Sequence, residues 1–368
     1  MKMFRLPILS LFCALAPVVA GAQQQWRMQY FYDQAKSFLE IADIQFPSPN
    51  RGIAVGTIRE GSKQKQVAVT SNDGGATWAQ SPLEDEPISL FFLNDSLGWL
   101  VTEKGLWQTT EGGRDWRKIG KPPSPVLRVY FWDENHGIAA CMKKTVLETF
   151  DGGKKWTPVK DAATPAGAPE RSAYTWIAFG NPKYGIVTGY NQPLSRWTPM
   201  FATWLDPAEA LSRRETAHLG YTLSTTDGGK TWTSSSQSIL GHVTRIRLRG
   251  DGLGMGLVEH ADSFRYPSEV YKLDWRTGKS ETVFRDKKYA ITDVWLARDG
   301  SYYLGGLELQ GTVRSVAPGR VRVFHSTDLK GWDEMKVDYR ASAQRVVFAG
   351  AGDDLWLATD NGMILKLK

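Results

Sequence analysis

Short apolar runs separated by polar turns recur along this chain, and no segment carries the 3.6-residue period of a long amphipathic helix. Ile88-Ser-Leu-Phe-Phe92 is followed by Leu97-Gly98-Trp-Leu-Val101 and then Gly105-Leu-Trp-Gln-Thr109. Val126 to Phe131, Gly137-Ile-Ala-Ala140 and Thr145 to Thr149 repeat that order. Each trio closes on the same polar phrase, Thr109-Thr-Glu111-Gly112-Gly113-Arg-Asp115-Trp116 in one case and Thr149-Phe-Asp151-Gly152-Gly153-Lys-Lys155-Trp156 in the next. The phrase also stands at Ser71-Asn-Asp73-Gly74-Gly75-Ala-Thr77-Trp78 and at Thr225-Thr-Asp227-Gly228-Gly229-Lys-Thr231-Trp232.

The phrase reads as a hairpin turn. The acid can accept hydrogen bonds from backbone N–H groups of its own turn, and the glycine pair supplies positive φ. The preceding Ser or Thr closes the incoming strand, and the Trp opens the outgoing one with a large apolar side chain. Asp73 and Glu111 are 38 residues apart, and Glu111 and Asp151 are 40. Units of that length holding several short strands predict propeller blades.

The template extends along the chain. Trp176-Ile-Ala-Phe179 and Gly185-Ile-Val-Thr-Gly189 open a fourth unit, interrupted by an insertion over about 191–220. A fifth runs from Val243 through Tyr271 to a loose Asp274/Gly278 turn, and a sixth ends at Ser326-Thr-Asp328-Leu-Lys-Gly331-Trp332. Arg345 to Ala349, Asp354 to Thr359 and Met363 to Leu367 leave a last unit one strand short. A strand near Gln25 to Tyr32 supplies it. The expectation is an all-β fold, a single β-propeller of seven blades of four antiparallel strands, closed by pairing the N- and C-terminal strands over 23–368.

Residues 1–22 read as a cleaved secretory signal. Lys2 and Arg5 precede an apolar run from Leu6 to Val19 that ends at Ala20-Gly-Ala22. The run is shorter than a membrane span and nothing later qualifies as one, so the mature chain is expected to be periplasmic or secreted and not itself membrane-spanning. Cleavage removes Cys13 and leaves Cys141 alone, so no internal disulfide forms. Cys141 reads as a buried small hydrophobe. With 45 basic against 39 acidic side chains, the balance is too mild to argue for nucleic acid.

No catalytic set emerges. His136, His218, His242, His260 and His325 are scattered without metal-ligand spacing, and no metal or cofactor is expected. Gly250, Gly252, Gly254 and Gly256 alternate in a strand-turn-strand context and read as a tight turn, not a dinucleotide loop.

The repeated phrase resembles the Asp-box, or bacterial neuraminidase repeat, of sialidases, some polysaccharide hydrolases, sortilin-type receptors and the photosystem II assembly and stability factors. Its positions here are Asp73, Gly75 and Trp78; Glu111, Gly113 and Trp116; Asp151, Gly153 and Trp156; Asp227, Gly229 and Trp232; and Asp328 with Trp332. The unit from Gly98 to Trp116, and the ending from Leu355 to Lys366, are most similar to the assembly factors. That resemblance implies a non-enzymatic exported propeller binding a protein partner during assembly of a membrane complex. The alternative is a glycan-binding or glycoside-hydrolysing propeller, sialidase-like or polysaccharide-degrading. A sialidase demands an early Phe-Arg-Ile-Pro-like arginine, and the near match Phe4-Arg5-Leu6-Pro7 lies in the signal segment.

Two features carry candidate binding residues. Arg245, Arg247 and Arg249 alternate with Ile246 and Leu248, so one strand face holds three guanidinium groups. They either grip carboxylates on a partner or pair with box acids and hold the ring. The insertion brings Trp197, Met200, Phe201 and Trp204, then a helix start at Asp206-Pro207 with Arg213 and Arg214 in its last turn. It is either a recognition loop or a lid with its aromatics buried.

Overall fold

The computed structural model describes residues 24–192, 218–260, 266–309 and 318–368. The strands form seven sheets of at least four strands, antiparallel throughout except that Lys336–Val337 pairs parallel with the N-terminal strand. Blades one to six occupy 38–82, 87–120, 126–158, 172–239, 242–285 and 289–334. The seventh combines Val346–Ala351, Asp354–Thr359 and Met363–Leu367 with the N-terminal strand Gln25–Phe31. That strand pairs antiparallel with Met363–Leu367, Trp26 opposite Leu367 and Phe31 opposite Met363, so the two ends of the chain close the ring as expected. The first strand of every blade contacts the first strand of the next, and the seventh contacts the first, so the first strands form the inner wall.

The cores lie between blades. Trp99 of blade two stacks on Phe131 of blade three at 3.6 Å and 6°, and its indole N–H donates to Gly152 O at 3.1 Å in that blade's turn. Trp356 of blade seven stacks identically on Phe46 of blade one, at 3.6 Å and 10°. These flat pairs explain why Gly-led strands recur. A Cβ on Gly52, Gly98 or Gly137 would sit 2.5 Å from the ring of Phe46, Phe92 or Phe131, the last residues before the hairpin. Glycine leaves the floor on which that ring lies, and the turn Trp of the same blade meets it edge-on at 6.0 to 6.3 Å.

The repeated turn works largely as read, with the hydroxyl as its centre. Ser71, Thr109, Thr149 and Thr225 each accept the N–H of the second glycine at 2.9 to 3.0 Å. Both glycines have positive φ in all four copies. Asp73, Asp151 and Asp227 accept N–H groups from the far side of their turns, and the Thr77 and Thr231 hydroxyls, together with those N–H groups, hold Asp73 and Asp227 down to about 2. Glu111 departs from the expectation: its longer side chain accepts no hydrogen bond from its own turn. In blade six Leu329 takes the glycine's place at φ 65, and Asp328 accepts from Lys330 and Gly331.

The insertion is shorter than 191–220. Asn191 ends a strand and His218 begins the next, with Tyr190 opposite Gly220 and Asn191 opposite Leu219. These ends belong to blade four because their backbone groups complete its ladder. Trp197, Trp204, Arg213 and Arg214 lie outside the described residues. The second-to-third strand connections of blades four, five and six, over 192–217, 260–267 and 309–318, leave from the face opposite the repeated turns. In the other blades that connection is only two or three residues long. Cys141 is fully buried, and burial pushes its thiol up. Gly252 has φ 101 in a tight turn between strands. No helix among the described residues is long and apolar enough to cross a membrane.

Candidate functional site

Six inner strands carry the same irregularity. Pairing with the second strand skips one residue between Ile41 and Asp43, Pro87 and Ser89, Val126 and Arg128, Tyr174 and Trp176, Val243 and Arg245, and Ile291 and Asp293. Such a bulge re-aims the side chain after it. Asp43, Ser89, Arg128, Trp176, Arg245 and Asp293 therefore hold equivalent places around the axis.

Each of these side chains reaches the next blade. Asp43 accepts the N–H of Leu90 at 3.0 Å, and Ser89 donates to Leu127 O at 2.8 Å. Arg128 lies over the Trp176 ring at 4.0 Å, and Trp176 donates to Ile246 O at 2.7 Å. Arg245 meets Asp293 at 3.6 Å, and Asp293 accepts the N–H of Phe348 at 2.8 Å. Arg345 of blade seven completes the circuit by donating to Ala42 O at 3.0 Å. Side chains thus tie every inner strand to its neighbour.

The arginine row is divided by this geometry. Arg245 is buried, pairs with Asp293 and lies over Trp176 at 4.5 Å. Arg247 reaches Asp293 at 3.2 Å, donates to Val294 O and Phe348 O, and covers Trp295 at 4.5 Å. Arg249 stands past the strand end and pairs with Asp251 at 2.7 Å. The partners are not the acids of the repeated turns. They are Asp293, on the next inner strand, and Asp251, in the adjoining turn.

Above this ring lies an axial cavity of about 250 Å³, lined by Gln45, Phe91, Arg128, Tyr130, Trp176, Arg247 and Trp295 among others. Three guanidinium groups, Arg128, Arg245 and Arg247, face two carboxylates, Asp43 and Asp293. Burial, with Arg245 and Arg247 close by, pulls Arg128 down to about 10 against the opposing pull of Asp43. Its buried Nε has no hydrogen-bond partner among the described residues. Both carboxylates are occupied: Asp43 accepts from Ile44 and Leu90, and Asp293 from Val294 and Phe348. The set suits binding through cation, amide and aromatic surface, and it offers no unengaged acid for proton transfer. Among the described residues no group of three or more His, Cys, Asp or Glu side chains could hold a metal ion.

Sequence reading missed Asp43, Arg128, Trp176 and Asp293. Their signal was a polar or oversized residue at one register of otherwise apolar inner strands, as in Ile41-Ala-Asp43-Ile44 and Ile291-Thr-Asp293-Val294.

The sequence matches no family model and no curated protein. Solved structures match the fold. YCF48 bound to D1 peptide superposes with a TM-score of 0.58 at 15% identity, over 91% of this chain and 98% of that one. YCF48 from Cyanidioschyzon merolae gives 0.59 at 16% identity, over 93% and 98%. The WD40 propeller domain of Doa1 gives 0.54 at 10% identity, over 93% and 97%.

Proposed function

We propose that this chain is an exported, non-enzymatic Asp-box propeller that holds a segment of a protein partner during assembly of a membrane-associated complex. The observation that carries the reading is the axial cavity, with its excess of guanidinium groups and its Phe, Tyr and Trp walls. Rigid aromatics beside arginines are the side chains that dominate protein recognition surfaces. Two further points support it. A similarly shaped ring, YCF48, was solved with a D1 peptide bound. The repeat unit also resembles the photosystem II assembly factors. The basic and apolar leader over 2–19 supports export to the periplasm or beyond, with cleavage near Ala22.

A photo-crosslinking residue at position 130, on the cavity wall, tests this in the cell that makes the protein. The expected product joins the full chain to a segment of a membrane-complex subunit. A correctly folded variant that forms no protein adduct overturns the reading. Deleting 193–217 is expected to leave the ring folded and to weaken capture; undiminished capture removes the loop from the binding surface.

A further inference from the structure

Glu111 is the one acid among the four intact turns that does not cap its own turn, and it lines a separate cavity. Its turn folds without the carboxylate because Thr109 accepts the N–H groups of Glu111 and Gly113 at 3.1 and 2.9 Å. The cavity, about 500 Å³, lies between the turns of blades one and two, where Glu111 and Arg114 face Ser48, Arg51, Asn72 and Asp95. Volumes of about 300–1,000 Å³ are usual for small-ligand sites. Arg51 is fixed there: its guanidinium donates to Asn72 Oδ1, Glu111 O and Gly112 O, bridging the two turns. Arg51 Nε and Ser48 Oγ are buried at the floor of this groove without a hydrogen-bond partner among the described residues.

From this geometry we infer that the groove between the first two turns binds a neutral saccharide. Two guanidinium groups balance two carboxylates, so a net charge on the ligand gains nothing. No aromatic or aliphatic side chain lines the cavity, so an apolar ligand gains nothing either. Vicinal sugar hydroxyls can donate to one carboxylate while their oxygens accept from guanidinium and amide groups. The site is distinct from the axial cavity and does not depend on the partner reading.

Amide chemical-shift mapping on the full chain with glucose, galactose, N-acetylglucosamine and their β-linked dimers tests the site. At least one sugar is expected to move the signals of Ser48, Asn72 and Glu111. Glu111→Asp returns the carboxylate to the turn, as in Asp73, and should keep the fold while weakening that sugar about tenfold, the loss of one charged hydrogen bond. Glu111→Ala should do the same. No shift with any of these sugars, affinity in both variants unchanged from that of the unsubstituted chain, or a response to calcium chloride in place of sugar overturns the inference.

Discussion

At the scale of single residues, the repeated turn is a hydroxyl device with an acid attached. Thr225 accepts the N–H of Gly229 at 2.9 Å and donates to Asp227 at 2.9 Å, so removing it strands a buried backbone donor. Thr225→Ala is expected to cost about 1–3 kcal/mol, read by denaturant unfolding. The acids act through pH. Asp73 and Asp227 titrate at about 2 in the folded ring against an ordinary 3.8, because the hydroxyls and N–H groups of Thr77 and Thr231 hold the charged form. A depressed folded value adds stability above the unfolded value, and that stability is lost as pH falls through the folded one. Melting temperature should therefore drop between about pH 4 and pH 2, and less steeply in the Asp73→Asn, Asp227→Asn double variant. The role of the acid was legible in the phrase itself. The exception at Glu111 was not, since one extra methylene decides it in three dimensions.

At the scale of the element, the glycine that opens each second strand is a packing position. Phe131 is nearly fully buried between Trp99, Trp156 and Gly137, and a Cβ at 137 would press on its ring at 2.5 Å. Gly137→Ala should lower stability by about 1–3 kcal/mol, the usual cost of overpacking, measured by thermal unfolding. Strand order and hairpins were readable from short apolar runs between turn residues, because strands such as Gly98–Thr102 and Gly137–Cys141 are buried on both faces. The bulges were not, because the skipped residue leaves no mark on composition. The displacement precedes the arginine row, whose members then differ by height along the strand, Arg245 at the ring, Arg247 on the cavity wall and Arg249 past the strand end.

At the scale of the molecule, closure depends on the circuit of inner side chains as well as on the terminal strands. Asp293 is wholly buried, accepts two backbone N–H groups and faces two guanidinium groups. Asp293→Ala leaves both cations uncompensated and should cost about 3–5 kcal/mol, visible as a fall in melting temperature. Trp26, buried against Phe348 and Tyr303, fastens the closing strand; Trp26→Ala should cost about 3–5 kcal/mol and promote aggregation on size-exclusion chromatography by freeing a sheet edge.

The sequence by itself determined the units and pointed to seven of them with an N-terminal strand completing the last, because each is a local pattern of apolar spacing and turn chemistry, and the seven sheets of the structure settled the count. It also placed the buried Cys141 and the tight turn at Gly252. Only the tertiary structure decided which side chains meet. Asp43 lies 85 residues from Arg128, and Arg345 reaches Ala42 across 303. Closing a ring brings one register of every inner strand to a common axis, and the odd polar or oversized residue at that register does not say which of the others it meets.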